Sequence, residues 1–396
     1  MKGYNTPMQT ELETQRLLKL ADACVVCGLC VPHCPTYNKT GLEADSPRGR
    51  IQLMRAVLRD ELNPSPRFHE HIDACLTCRT CEAVCPNHVS YGLLVEGIRS
   101  RYPSAKRKPR WFDRPLSWLA QNPSLWSLLR YPAAIAQNIG FGSILKKNGL
   151  ASLPLSAPFK EHYAAIGEQI GKVSLFLGCV SRLSDVPVIS ASIQLLQQAG
   201  YAVDIPKDQG CCGALALHQG EKTKALAQIN TNQKAFGSHQ TIAFSATGCG
   251  ATLMDYPSYT EGAAFPAQDV LTLLASSTRL RFKPLKQLVW IQTPCSQRNV
   301  VKSVSHAESL LQQIPELNIQ YLSGNQQCCG AAGRYHLDQP EMAEQLRANK
   351  IAAIQQQQAT LILSSNVGCA LWLRAALPAN TTLIHPLELL AQQLET

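Results

Sequence analysis

The sequence predicts an α+β multidomain protein, in which a mostly helical module with two cysteine clusters precedes two duplicated α/β cysteine-rich lobes. Three observations predict this fold class. They are the ordered spacing of sixteen cysteines, a polar, helix-compatible stretch between the first two clusters, and the alternation of apolar runs with helical stretches in the second half. With 396 residues, 45% of them hydrophobic, the chain can build several cores. We expect domains at 1–100, 101–170, 171–280 and 281–396.

The first hundred residues carry one cysteine pattern twice. Each copy fits C-x2-C-x2-C-x3-C-P, ending at Pro35 in the first copy and at Pro86 in the second. This spacing is typical of ferredoxin-like modules with two [4Fe–4S] clusters, in which the fourth cysteine of each run ligates the other cluster. The pattern therefore predicts a first cluster on Cys24, Cys27, Cys30 and Cys85, and a second on Cys75, Cys78, Cys81 and Cys34.

Two other uses of these thiols stay open on spacing alone. Zinc is satisfied by four thiolates, but usually as two separated C-x2-C pairs, and structural disulfides need no proline-terminated run. Apolar spacers favour iron–sulfur clusters, because such residues shield a cluster from water and help to set its potential. We expect this shielding from Val25, Val26, Leu29, Leu76 and Val84.

Between the two runs lies Asp45-Ser46-Pro47-Arg48-Gly49-Arg50. The Ser-Pro pair predicts the start of a helix, with both arginines in its first turn. Two interpretations follow. The arginines either contact a cluster edge or a partner carboxylate, or they form ordinary ion pairs that hold a turn.

A basic and aromatic connector follows the first module. Residues 1–150 hold 20 Lys and Arg against 12 Asp and Glu, and the excess peaks between Arg99 and Arg114. Three interpretations stay open: a solvated linker, a docking segment for an acidic partner subunit, or contact with an anionic membrane surface. Nucleic acid is a poor fit, because no recognition motif accompanies the charge. The accompanying aromatic residues are Trp111, Phe112, Trp118 and Trp126.

From residue 171 the pattern changes to alternating strands and helices. Short apolar runs predict strands, and longer periodic stretches predict the helices between them. The predicted strands are Val173–Leu177, Ala202–Ile205, Thr241–Ser245, Leu288–Gln292, Asn318–Leu322 and Thr360–Ser364. The predicted helices are Val188–Ala199, Glu221–Phe236 and Glu341–Ile354.

The remaining eight cysteines follow these strands twice, in one order. The first set is Cys179, Cys211, Cys212 and Cys249, and the second is Cys295, Cys328, Cys329 and Cys369. Offsets of 116, 117, 117 and 120 residues relate the sets, which predicts an internal duplication. Adjacent cysteines can point two thiolates at a polynuclear metal site. We expect further iron–sulfur clusters or redox-active thiols in these lobes.

Several classes of protein are not expected. The first twenty residues lack the apolar core of a secretory signal, and no stretch of about 18 apolar residues predicts a spanning helix. No glycine-rich dinucleotide or phosphate loop follows a strand. We therefore expect a cytoplasmic protein, with the basic connector as a possible peripheral contact to the inner face of the membrane.

The complete motif order resembles the family of glycolate oxidase iron–sulfur subunits, whose two C-terminal domains are named CCG after their Cys-Cys-Gly motif. All sixteen cysteines fall on motif positions of that family. The resemblance implies an oxidoreductase subunit that passes electrons from FAD on partner dehydrogenase subunits through two [4Fe–4S] clusters toward quinone. It implies glycolate or D-lactate as substrate, and no catalytic acid or base in this chain.

Related families supply alternative functions. A subunit of a glycerol-3-phosphate dehydrogenase has the same modules, and a heterodisulfide-reductase-like enzyme would use the lobe cysteines in thiol–disulfide chemistry. In that reductase the last element is C-x2-C, whereas Thr252 and Trp372 occupy the corresponding positions here. The missing fifth cysteine argues against such chemistry. A zinc-stabilised, non-enzymatic scaffold is the third alternative.

Overall fold

The computed structural model of the chain describes residues 7–104, 159–237, 240–260 and 264–395. The predicted aromatic segment of the connector lies outside these residues. Backbone contacts divide the chain into two compact units. The first contains Met1–Lys108, Leu215–Lys222 and Ala332–Met342, and the second contains Pro109–Ala214, Thr223–Ala331 and Ala343–Thr396. The predicted domain boundaries stay a prediction.

The first unit is mostly helical, as the sequence predicts. Helix α1 packs against α3 and α6 around a core that includes Leu17, Met54 and Leu94. The first cysteine run lies between α1 and α2, and the second lies between α4 and α6 and includes the short helix α5, which carries Cys81. The helices are α1 Pro7–Asp22, α2 Tyr37–Thr40, α3 Pro47–Leu58, α4 Pro66–Asp73, α5 Thr80–Ala83 and α6 Tyr91–Arg101, with 3₁₀ turns at Val31–His33 and Glu43–Asp45.

The predicted Ser-Pro helix start is confirmed at α3. The Ser46 hydroxyl accepts a hydrogen bond from the Gly49 amide at 3.0 Å, and Pro47 occupies the first helical position. Helix α4 begins in the same way, with Ser65 accepting from Phe68. Proline suits this position because the first-turn amides have no partner inside the helix.

The second unit contains lobe 1, whose five-stranded sheet has the order β1-β3-β2-β4-β5 and begins before the predicted boundary at residue 171. Strand β1 pairs antiparallel with β3, and the other pairs are parallel. Its strands are β1 His162–Tyr163, β2 Gly171–Phe176, β3 Tyr201–Asp204, β4 Thr241–Phe244 and β5 Ala267–Asp269. Its helices are α7 Ser181–Ser184, α8 Val186–Gln198, α9 Ala214–Gln219, α10 Lys222–Phe236, α11 Thr247–Asp255 and α12 Val270–Leu274, with a 3₁₀ turn at Tyr256–Ser258. Most of α9 belongs to the first unit.

Lobe 2 (residues 281–396) repeats this topology. Its parallel sheet has the order β7-β6-β8-β9, which matches β3-β2-β4-β5 of lobe 1 and confirms the predicted duplication. Its strands are β6 Gln287–Ile291, β7 Leu317–Tyr321, β8 Leu361–Leu363 and β9 Thr382–Ile384. Helices α13 Val304–Leu311, α15 Pro340–Gln356, α16 Val367–Arg374 and α17 Pro386–Gln393 accompany them, with a π turn at Gln297–Val301; α14 Tyr335–Asp338 belongs to the first unit.

The two lobes share one apolar core. Helix α8 of lobe 1 packs against α17 of lobe 2, so that Leu195 and Leu196 join the same buried cluster as Leu387 and Leu390. The lobes therefore form one packed body rather than two independent domains. Among the helices of the described ranges, none has the length and apolar character that crossing a bilayer requires.

Candidate metal centres

The two N-terminal cysteine runs adopt the same unusual backbone turn. Val26 and Thr77, which precede the second cysteine of each run, have φ of 60° and 52°. Gly28 and Arg79, which follow that cysteine, have φ of 85° and 57°. A left-handed conformation is costly for a β-branched residue, so the fold holds these turns in place. Turns of this kind aim successive amide groups inward and form concave anion sites, which are common at iron–sulfur clusters.

The first predicted ligand set surrounds one cavity. Cys24, Cys27, Cys30 and Cys85 all line it, together with Arg48. Burial, with smaller contributions from the neighbouring thiols Cys24 and Cys27, raises the pKa of Cys30 to about 11. The thiols are therefore close enough to repel one another once ionised, and a bound cation or cluster would relieve this repulsion.

The outer rim of this cavity contradicts one prediction. Val25 is 67% exposed, Leu29 is 57% exposed and Val26 is 41% exposed, so the expectation that they shield the cluster is wrong. Val26 lies in the left-handed turn, and Cys27 is exposed with these three residues. In the second run, Leu76 is 4% exposed and does lie in the interior.

The second predicted set also lies together. Burial raises the pKa of Cys81 well above its usual value, and the charges of Cys78, Cys75 and Cys34 raise it further. Cys75 accepts hydrogen bonds from the Thr77 amide at 3.4 Å and from the Tyr91 hydroxyl at 3.6 Å. The Cys75 sulfur thus accepts hydrogen bonds from both a backbone amide and a phenol.

Two buried arginines accompany this second set. Arg50 is 1% exposed, and its Nη1 lies 2.9 Å from Thr36 Oγ1 and 3.9 Å from Cys34 Sγ. Its Nε donates to the His71 carbonyl at 2.7 Å, and its Nη2 lies 3.2 Å from Asp45 Oδ1. The ion-pair interpretation is therefore confirmed for Arg50. Its approach to Cys34 is compatible with contact to a cluster edge, which stays a prediction.

Arg99 is the second of these arginines. It is 4% exposed, so its assignment to a solvated basic segment is wrong. It donates to the carbonyls of Cys75 at 2.7 Å, Ile72 at 2.9 Å and His218 at 3.2 Å, and to Thr77 Oγ1 at 2.8 Å. These acceptors are all neutral oxygens. None of these hydrogen bonds therefore pairs the positive charge of Arg99 with a carboxylate, and this charge lies beside the loop that carries Cys75.

In lobe 1 the four predicted thiols converge at the carboxyl edge of the sheet. Cys179 Sγ lies 3.5 Å from Cys211 Sγ, and Cys212 is hydrogen-bonded to both Cys211 and Cys249. The hydrogen bond from Cys179 lowers the pKa of Cys211 well below its usual value, whereas the same bond raises that of Cys179. Carboxyl ends of parallel strands meet at one edge, which explains the convergence.

A neutral network fixes the Cys-Cys loop of lobe 1. The Asn232 amide donates to the Cys211 carbonyl at 2.8 Å and to the Tyr256 hydroxyl at 2.9 Å. The Tyr256 hydroxyl then donates to the Cys212 carbonyl at 2.9 Å. Asn232 and Tyr256 are fully buried, and sequence spacing alone did not single them out.

In lobe 2 the corresponding thiols also lie together. Cys329 Sγ lies 2.9 Å from Cys369 Sγ, and Cys295 is hydrogen-bonded to Cys328. Lys350 is 1% exposed and donates to the Gly324 carbonyl at 2.7 Å. Burial lowers the pKa of Lys350, while the charges of Cys329, Cys328 and Cys369 act in the opposite direction. A lysine therefore lies within electrostatic reach of three predicted ligands.

Each lobe contains an equivalent hydrogen bond from an arginine to the loop before its Cys-Cys pair. Arg182 donates to the Gln209 carbonyl at 3.3 Å in lobe 1, and Arg298 donates to the Gln326 carbonyl at 2.8 Å in lobe 2. Each arginine follows the lone cysteine of its lobe by three residues, and each glutamine precedes the Cys-Cys pair by two. The repeated offset could have identified these residues from the sequence.

The structure thus brings each predicted set of four cysteines together, and all sixteen are free thiols. Among the described residues, no three His, Cys, Asp or Glu side chains are arranged to hold a single metal ion. Four thiols, inward-turned backbone amides and buried cations form a donor set that fits an iron–sulfur cluster. Which thiol binds which cluster stays a prediction.

Comparison with known proteins agrees with this geometry. Residues 20–89 match the 4Fe-4S dicluster domain, and residues 173–254 and 289–374 each match the cysteine-rich CCG domain. The chain is 31% identical to the probable glycolate oxidase iron–sulfur subunit of Bacillus subtilis, over 99% of this chain and 97% of the relative. It belongs to the family of glycolate oxidase iron–sulfur subunits.

Further relatives extend this family. The glycolate oxidase iron–sulfur subunit of Escherichia coli is 28% identical over 97% of this chain and 96% of its own length. Lactate utilization protein A of Bacillus velezensis is 24% identical over 50% of this chain and 88% of its own length. The matched domains support iron–sulfur binding by the chain, and the resemblance predicted from the motifs is confirmed.

Proposed function

We propose that this chain is the electron-transfer subunit of a flavin-dependent 2-hydroxyacid dehydrogenase of the glycolate or D-lactate type. The observation that carries the proposal is the pair of N-terminal thiol sets, in a chain that aligns with glycolate oxidase iron–sulfur subunits over nearly its whole length. Each [4Fe–4S] cluster, when bound, accepts and releases one electron at a time. Cysteines hold these clusters, and the left-handed turns orient amide groups toward them.

Oxidation of the hydroxyacid is proposed to occur on partner subunits that carry FAD. The sequence of this chain contains no dinucleotide fingerprint, so its own residues conduct electrons rather than bind the flavin. The final acceptor is proposed to be quinone, with the basic connector contacting the inner membrane surface. Flotation of the purified complex with anionic and with neutral vesicles tests the contact, and binding to neither contradicts it.

The test of the function is substrate oxidation by co-purified partners. The tagged chain is isolated without oxygen, with the proteins bound to it, and supplied with glycolate, D-lactate or glycerol 3-phosphate and an artificial quinone. We expect reduction with one of the two hydroxyacids. Reduction with glycerol 3-phosphate alone would instead identify a glycerol-3-phosphate dehydrogenase subunit.

Iron counting tests the cofactors. About eight irons per chain indicate two [4Fe–4S] clusters, and a larger number indicates that the CCG lobes hold clusters as well. We propose loaded lobes, because each places four thiols together in the structure. Zinc without iron in a folded, anaerobically prepared chain would contradict the proposal and support a scaffold.

The crossed ligation has its own test. Cys34 belongs to the first run in sequence, but in the structure its charge acts on Cys81 of the second set. We expect Cys34→Ser to alter the electron paramagnetic resonance (EPR) signal of the cluster held by Cys75, Cys78 and Cys81, and Cys85→Ser to alter the other signal. The opposite assignment would show that each run binds its own cluster.

A further inference from the structure

The two N-terminal ligand sets differ in their access to solvent. The first set is open, because Cys27 is exposed and Val25 and Leu29 next to it are 67% and 57% exposed. The second set is less open, because Cys34 is 8% exposed, Leu76 is 4% exposed, and the other three cysteines are half-buried. A donor protein can therefore approach the first set closely, whereas polypeptide covers these two positions of the second.

The two sets also differ in fixed charge. Arg50 and Arg99 approach the second set and are 1% and 4% exposed. In the cavity of the first set, the charged side chain is that of Arg48, which is 34% exposed and forms an ion pair with Glu43 at 2.6 Å. Water and salt screen an exposed charge far more than a buried one. The buried pair therefore exerts the stronger field on its cluster.

Carboxylates near the second set reduce this field, and they include Glu70, Asp73 and Asp338, which line a pocket beside Cys75 and Arg99. Asp45 is paired with Arg50 and with His71 Nδ1, and Glu82 is paired with Arg79. Arg99 donates only to neutral carbonyl and hydroxyl oxygens among its recorded partners.

We infer that the two clusters differ in reduction potential and in role. The exposed first cluster receives electrons from the donor. The second cluster, which lies beside buried Arg50 and Arg99, has the higher reduction potential and accepts electrons from the first. The inference rests on the proposed function. Reduction adds one negative charge to a cluster, and a buried cation stabilises that charge. In this step the first cluster loses one electron and the second gains it, without proton transfer.

The first test is the order of reduction in the wild-type chain. Substoichiometric dithionite is added to the anaerobic holoprotein, and each signal is recorded by EPR. A Cys27→Ser variant identifies the first cluster, and a Cys78→Ser variant identifies the second. We expect the second cluster to be reduced first; earlier reduction of the first cluster would overturn the inference.

The second test removes the charge of Arg99. Arg99→Gln is expected to lower the reduction equilibrium constant of the second cluster at least tenfold, which is 59 mV for one electron. Arg99→Lys should restore part of this shift, because it keeps the charge. Arg48→Gln is the matched control and should shift the first cluster by less than threefold.

The outcomes separate the inference from the proposed function. Two outcomes would overturn the inferred difference between the clusters while leaving the electron-transfer function intact. One is an equal change in the reduction equilibrium constants of both clusters in Arg99→Gln. The other is a change in Arg48→Gln as large as the change in Arg99→Gln. Fewer than eight irons in the wild-type chain would contradict the function itself. If Arg99→Gln does not fold, the wild-type reduction order still decides which cluster has the higher reduction potential.

Discussion

The two CCG lobes have the same sheet order and cysteine order, yet their buried polar residues differ. At one helix position facing the cysteines, lobe 1 has Asn232 and lobe 2 has Lys350; both are almost fully buried. Asn232 makes neutral hydrogen bonds to the Cys-Cys loop, whereas Lys350 places a charge near the thiols. The two lobes therefore share the sheet and the cysteine positions, but they differ in the charge of the buried residue beside the cysteines.

The residues that cap the last helix of each lobe show the same divergence. Asp269 accepts a hydrogen bond from the Leu271 amide at 3.0 Å, and His385 Nδ1 accepts one from the Leu387 amide at 3.0 Å. Burial raises the pKa of Asp269 to about 7 and lowers that of His385 to about 4. Burial thus favours the neutral form of both groups, but the stability that each contributes changes with pH in opposite directions.

The largest effect is expected from Asp269→Asn. The ordinary pKa is 3.8, so the folded state binds more protons than the unfolded state between pH 4 and 7, and its stability falls as pH rises through that window. Asparagine keeps the cap without this loss. The variant should gain up to about 4 kcal/mol over wild type at pH 8, since one pKa unit corresponds to about 1.4 kcal/mol.

Urea denaturation at pH 5.5 and at pH 8.5 measures this gain. We expect the advantage of Asp269→Asn to be clearly smaller at the lower pH. An advantage independent of pH would show that Asp269 is ionised in the folded chain throughout this range.

His385→Asn is expected to act in the opposite direction. Neutral His385 contributes stability that is present above pH 6.5 and lost as pH falls toward 4. The substitution removes that loss, but it also removes the hydrogen bond from Nε2 to the Ser245 carbonyl at 3.1 Å. The variant should be about 1 kcal/mol less stable than wild type at pH 8 and should recover this deficit near pH 5.

The same denaturation series at four pH values checks this expectation. A deficit that grows as pH falls would contradict it. Asp269→Asn is the matched control, because it removes a buried titratable cap from the other lobe.

Gly250→Ala is expected to destabilise lobe 1 by about 1–3 kcal/mol. A Cβ atom on Gly250 would lie 2.0 Å from the ring of Phe244, which is fully buried. Lobe 2 has Ala370 at the same position, and its strand register puts the smaller Ser364 in place of Phe244. The double variant Phe244→Leu/Gly250→Ala should therefore regain stability in urea denaturation, and a further loss in the double variant would reject this explanation.

Lys350→Gln is expected to have an effect limited to the metal site of lobe 2. Loss of a buried cation near the ligands should weaken cluster retention about 10–100-fold, as is usual for outer groups of metal sites. Iron release to a chelator measures this effect. Lys224→Gln is the control, because Lys224 acts on Cys211 but is only half-buried. Equal release from both variants would contradict a special role for Lys350.

Much of the architecture was predictable because it depends on local pattern. Apolar runs located β2, β3, β4, β6, β7 and β8 to within about two residues, and the offset between cysteines identified the duplication. Strands β1, β5 and β9 were missed. Strand β1 has two residues and the other two have three, and each lies at a sheet edge, where periodicity is too short to detect.

The sequence by itself determined the donor chemistry of this protein, because cysteine spacing within a loop limits which thiols can converge. Only the tertiary structure decided the field around those thiols. Arg99 looked like part of a solvated basic segment, and Lys350 like an ordinary helix residue, yet both are buried beside cysteines. Burial depends on contacts between residues far apart in the chain, so a local pattern does not encode it.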